Sequence, residues 1–304
     1  MWTCSELKKS AWKSLSTNYW WAVLLVFLYF TIVSTATSFV SGISGAFSPI
    51  ISIIISSSAR DLGSNPSIYE IADKFGPAII VAASLSAVTM IFTFILVIFF
   101  QNPLSCGVIK WFFIQREHKD MHSIAALFTG FQKENYRYFV SGMAWRVLWS
   151  SVWSLVSAIP ILLPTALAVV FGLKANIYVA AAGGRFGISG TAVWTWVFVI
   201  FIILFNIAFI ISVMINLNRY YAYLYVPYIL IDIPDIPCRE VLRRSRNMTS
   251  GQKGRMFILD LSFAGWWLLV FMTCGLLTFA LMPYLNATYT ELYFHRKEEL
   301  TPGN

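Results

Sequence analysis

At 304 residues, 58% hydrophobic and only 12% charged, with a mean hydropathy of +0.69, the chain departs from the roughly 45–50% apolar and 25% charged content of soluble domains. That composition excludes a single water-soluble globule and places the chain among polytopic membrane proteins, with 17% aromatic residues to serve lipid-facing surfaces and interfacial belts. The net charge of +8 is then a matter of topology and not of nucleic-acid binding, because basic flanks attract anionic lipid and resist translocation.

The first predicted element is amphipathic: Leu7, Ala11 and Leu15 share a helical face, with Lys8, Lys9 and Lys13 off it. Residues 20–40 supply a first span, long enough for about 30 Å of hydrocarbon. Residues 46–57 are apolar but interrupted by Ser48, Pro49 and Ser52; too short to cross, they read as an outer interfacial or re-entrant piece. After a polar stretch over 60–74, residues 77–100 form the second span. Ser123 is a capping candidate for a second amphipathic segment, in which Ile124, Leu127, Phe128 and Phe131 follow helical spacing.

The block 138–171 is too long for one untilted crossing at about 1.5 Å per residue, and Pro160 and Pro164 are expected to kink or end it. A flexible loop follows at Gly183, Gly184, Gly187 and Gly190. Residues 191–215 give the fourth span, and a tyrosine-dense interfacial run extends from Tyr220 to Tyr228. In the third amphipathic segment Cys238, Val241, Leu242, Ser245 and Met248 share a face, with Arg239, Arg243, Arg244 and Arg246 mostly off it. The last block, 256–294, fits two short crossings with a tight turn near Gly275; a single kinked helix is the alternative.

The expected fold is therefore all-α: a polytopic transmembrane bundle of about six spans in one integral membrane domain over 1–304. It is arranged as three helical hairpins, within 1–120, 121–235 and 236–304, each preceded by an inner-surface amphipathic helix. Each even-numbered span ends near a proline, Pro103, Pro227 or Pro283, the last followed by Asn286. Seventeen of the 22 Lys and Arg fall in segments assigned to the inside and four in the two long outer connections, while Arg146 alone lies within a span. That bias predicts both termini in the cytoplasm.

The segments ELKKSAWKSL before the first span, PLSCG after the second, the run from Val226 to Trp267, and the closing MPYLNATYTELY are similar to a family of uncharacterised bacterial integral membrane proteins catalogued as domain of unknown function nine-seven-five. The resemblance covers nearly the whole chain and is most specific at ILDLSFAGWW and PYLNATY. It implies a bacterial cytoplasmic membrane of Gram-positive type and no established activity. Residues 46–57 and about 165–195 look like additions to the family pattern.

Two charges stand out by depth. Arg146 lies about nine residues into the third span and Asp260 about four into the fifth, where unpaired charge costs at least roughly 2.5–3.5 kcal/mol. They could form an ion pair or polar gate, or Arg146 could snorkel to headgroups while Asp260 bonds near the interface. Lys8, Lys9, Lys13, Arg239, Arg243, Arg244 and Arg246 are expected to meet anionic inner-leaflet lipid, or to dock a partner such as an ABC-type ATPase or another membrane subunit. His118 and His122 stand four apart but lack further ligands, so no metal site is expected. The four cysteines show no CxxC spacing, and no GxxxxGK[ST], HExxH or GxSxG occurs. No catalytic residue and no cofactor is expected. These readings favour a non-catalytic, transport-associated membrane protein, permease-like or an exporter accessory. The alternatives are self-protection against a membrane-active peptide or envelope stress and, further off, an intramembrane enzyme using Arg146 and Asp260.

Overall fold

The computed structural model describes residues 2–60, 68–117, 123–181 and 188–300, which form helices and turns with no strand among them. Helix α1 (Cys4–Leu15) starts on a capping box in which the Glu6 N–H donates to Thr3 Oγ1 and the Thr3 N–H to Glu6 Oε2. It buries Leu7, Ala11 and Leu15 and leaves the lysines outside. A short 3-10 turn leads into α2 (Tyr19–Ala46), and α3 (Ser48–Arg60) follows.

Helix α4 (Ile68–Leu96) does not stop before Pro103. It runs through a π turn at Val97–Gln101 straight into α5 (Asn102–Glu117). Pro103 removes the N–H that would have bonded the Phe99 carbonyl, and the Tyr136 hydroxyl donates to that carbonyl instead, at 3.0 Å. The proline is thereby accommodated and the span continues into the next helix.

The segment Ile124–Phe131 is a 3-10 helix and not the α-helix its spacing predicts; Ser123 makes no side-chain capping bond and Phe128 is exposed. The reason is close packing on α5. A Cβ on Gly107 would meet the Leu127 carbonyl oxygen at 1.9 Å, and one on Gly130 the Pro103 carbonyl oxygen at 2.1 Å. Two glycines thus let two backbones touch.

Helix α6 (Lys133–Ala181) continues through Pro160 and Pro164, which neither end it nor separate two crossings. Its first part packs in protein, with Phe139 and Met143 buried and the Tyr138 hydroxyl donating to the Ile233 carbonyl. Further along, Leu155, Ile159 and Leu162 are exposed. Helix α7 (Ile188–Ala222) runs beside α6, where the Asn216 amide donates to Ser157 Oγ at 2.6 Å and Arg219 lies 3.4 Å over the Trp153 ring. The glycine loop through Gly187, Arg185, and the His118–His122 pair fall outside the described residues.

Helices α8 (Val226–Asp232), α9 (Cys238–Thr249), α10 (Lys253–Leu261) and α11 (Ala264–Met272) lead to α12 (Thr278–Leu300). The pair α10–α11 is bent by 40°. The chain reverses at Cys274 and Gly275, both at positive φ, with the Gly275 N–H donating to the Val270 carbonyl. Pro283 lies inside α12 and does not end a span.

Among the described residues four helices are long and apolar enough to cross a membrane, or five if the bent pair counts as one. The apolar blocks of the sequence add up to six, and the difference lies in the last block. Leu281, Leu285 and Leu292 of α12 are buried in protein, so much of its apolar surface packs other helices. Helix α12 is the axis of a packed layer built with α1, α5, α8 and α9. Asp232 of α8 bonds Lys297 and Tyr293, Glu291 pairs with Arg116 of α5 at 3.3 Å, and Arg296 donates to the Met248 carbonyl of α9. The long helices instead expose large apolar side chains such as Ile80, Met90, Leu155 and Met214.

Candidate functional site

Where the packed layer meets the long helices, a cavity of about 440 Å³ opens between α5, α6, α8, α10 and α12. Arg146 and Asp260, distant in sequence, both line it, together with Tyr220, Tyr228, Asn286 and Tyr289. No ion pair joins Arg146 to Asp260 within 4.0 Å. Both oxygens of Asp260 accept instead from phenols, Oδ2 from Tyr221 at 2.6 Å and Oδ1 from Tyr289 in a short contact. A carboxylate held by two O–H donors is fixed in place with its charge compensated.

Helix α10 ends just after Asp260. The Lys8 ammonium donates to the Ser262 carbonyl at 3.0 Å and sits 3.9 Å over the Phe263 ring. A cation at a helix C-terminus complements the exposed carbonyls there. Lys8 is thus more than a lipid contact: it fastens α1 to the break between α10 and α11, which is reinforced by Tyr284 stacking edge-on to Phe263 and donating to the Lys8 carbonyl.

The other basic residues lie apart from this cavity. Lys9 and Lys13 line, with Lys8 and Trp12, an open cleft of about 750 Å³ on α1. On α9, Arg243 and Arg244 both pair with Glu240, at 3.4 and 3.1 Å, Arg246 donates to the Leu242 carbonyl, and Arg239 lies 6.0 Å from the Trp145 ring. Of the proline and asparagine positions, Pro227 and Asn286 line the cavity, whereas Pro103 is the second residue of α5 and Pro283 is buried in α12. Among the described residues no group of three or more His, Cys, Asp or Glu is placed to hold a metal ion, and all four cysteines are free.

Sequence reasoning missed Tyr221 and Tyr289. Tyr221 was hidden in a tyrosine run that reads as interfacial. Tyr289 lies in PYLNATY and Asp260 in ILDLSFAGWW, so the two most specific segments of the sequence meet at one carboxylate. A family model described as Protein of unknown function (DUF975) matches residues 1–299. The chain belongs to that family. No curated protein and no solved structure matches it. The DUF975 assignment therefore carries no chemistry.

Proposed function

We propose that this DUF975 chain is a non-catalytic, transport-associated protein of a bacterial cytoplasmic membrane, permease-like or an accessory to an exporter, with both termini in the cytoplasm. The observation that carries this reading is a cavity with two charged groups in its wall beside a broken helix: Asp260 and Arg146 face a space of about 440 Å³ next to the bend between α10 and α11. Interrupted helices lining a polar space within the membrane are what transporter sites are built from. The bias of Lys and Arg toward the segments flanking the packed layer supports the orientation. In this reading the hairpin units persist, and the third, α10–α11 with α12, enters the bilayer part-way and returns.

The non-catalytic part of the proposal rests on how the polar groups are engaged. Both Asp260 oxygens are held by phenols, and the Ser105 hydroxyl in the same cavity donates to the Asn102 carbonyl. Groups engaged in this way within the protein support a binding role over a reactive one. The test is affinity purification of the full chain from gently solubilised native membranes, followed by deletion of its gene. Recovery of an ATPase or permease subunit in near-equal amount, lost when Arg243 and Arg244 are replaced by Glu, is the expected result. Deletion that sensitises cells to a membrane-active peptide, with no partner recovered, would replace transport by self-protection.

A further inference from the structure

A second cavity of about 630 Å³ adjoins the first and shares Arg146 and Tyr220 with it. It lies between α6, α7 and the start of α5, and its only charged lining groups are cationic, beside the neutral Ser150, Ser154, Asn216, Tyr220 and Tyr223. Arg146 and Arg219 both line it, and neither makes an ion pair with any described carboxylate. Arg219 is held flat by the Trp153 ring, 3.4 Å away, which fixes its guanidinium without neutralising it. Asn102, more than nine-tenths buried, also lines this cavity, and its Nδ2 amide has no hydrogen-bond partner.

No Asp or Glu lines the cavity. The nearest carboxylate facing the adjoining space, Asp260, has both oxygens occupied by Tyr221 and Tyr289. Two guanidinium groups and an orphaned amide N–H offer up to twelve N–H bonds and no acceptor of their own among them. Of these donors the Asn102 amide is the one that is buried without an acceptor, and buried donors without acceptors are rare in native proteins and call for an unseen partner. Val213 and Leu217 supply an apolar wall beside them, and the volume is within the roughly 300–1,000 Å³ of small-molecule sites.

We propose that this cavity binds a phosphate group, carried on an anionic glycerophospholipid or free in solution, through Arg146, Arg219 and the Asn102 amide. Arginine suits that role because its planar fork matches phosphate oxygens in pairs. The inference goes beyond transport and holds whether or not the chain moves a substrate.

The test uses the full chain purified in a nonionic detergent, with phosphatidic acid followed by native mass spectrometry and radiolabelled inorganic phosphate followed by equilibrium dialysis. Phosphatidic acid retained by the wild type should fall at least tenfold in Arg146→Gln and Arg219→Gln, and stay unchanged in Arg137→Gln, which removes an exposed charge of α6. Asn102→Asp, nearly isosteric, should expel the ligand as strongly by placing a carboxylate against the two arginines. Inorganic phosphate binding with the same variant dependence, and phosphatidic acid failing to bind, would assign the site to a soluble phosphate. If a Gln variant does not stay monodisperse, Arg146→Lys and Arg219→Lys keep the charge, and at least threefold weaker binding from the lost fork is expected. Binding of neither probe to the wild type, equal binding by all variants, or an equal loss in Arg137→Gln overturns the proposal.

Discussion

Asp260 shows how one residue can carry a charge inside an apolar protein without an ion pair. Hydrogen bonds to a charged acceptor contribute about 1.5–3 kcal/mol each, and Tyr221 and Tyr289 supply one to each oxygen. Tyr221→Phe and Tyr289→Phe should each lower unfolding stability in detergent by about that amount, whereas Tyr69→Phe, at an exposed phenol, should change it by under about 0.5 kcal/mol. Because the two phenols share one carboxylate, the double variant should depart from additivity. Thermal unfolding read by tryptophan fluorescence measures all four. Equal effects at Tyr69 and Tyr289 would mean that the carboxylate is hydrated and not held. The same reasoning sets the expectation for Asp260→Asn: one phenol loses its acceptor and the charge disappears, so the loss should exceed either tyrosine variant.

At the scale of elements, the contacts that organise the packed layer are of two kinds, and only one was legible in the sequence. Apolar periodicity found the buried faces of α1 and α9, because Leu7, Ala11 and Leu15, or Val241, Leu242 and Ser245, recur at helical spacing. It could not find the union of α5 with the 3-10 segment, since glycine has no side chain to give a pattern. A methyl at Gly107 or Gly130 would drive into a backbone carbonyl, where relief requires moving a helix and not a rotamer. Gly107→Ala and Gly130→Ala should each cost more than the roughly 1–3 kcal/mol of ordinary overpacking. Gly42→Ala, in a helix interior with nothing within 4 Å, should instead gain about 0.5–1 kcal/mol. Lys8 was read as a lipid contact because its charge is visible in sequence while its acceptor, the Ser262 carbonyl, lies 254 positions away. Lys8→Met should therefore speed amide hydrogen exchange across residues 262–272 while leaving α9 unchanged. Equal exchange in both proteins would reduce Lys8 to a surface charge.

At the scale of the whole molecule, two solvents explain why composition revealed the class while the described helices give four or five candidate crossings and the apolar blocks six. An apolar run signals burial, and lipid and protein interior bury it equally well. In α12 the interior is protein, as the buried Leu281, Leu285 and Leu292 show; along α4, Ile79, Ile80 and Met90 are exposed, as on a helix long and apolar enough to cross a membrane. Depth can be judged from α2. The ring of Phe279, just past the reversal at Cys274 and Gly275, lies 5.2 and 5.9 Å from Phe27 and Phe30. Those positions are about 12–17 Å along a helix whose 28 residues extend about 42 Å. If α2 spans the bilayer from its start, a turn near that depth is expected to reach only part of the way across. Cys274 is exposed at this turn and reports the depth directly. In a background with Cys4, Cys106 and Cys238 replaced by Ser or Ala, a membrane-impermeant maleimide applied to intact cells should leave Cys274 unmodified, while a lipid-soluble one should label it. Tyr69→Cys should react from outside, and Arg243→Cys only after permeabilisation. Labelling of Cys274 from outside as fast as Tyr69→Cys would establish a sixth crossing and place the turn at the far surface. Labelling of Arg243→Cys in intact cells would invert the molecule.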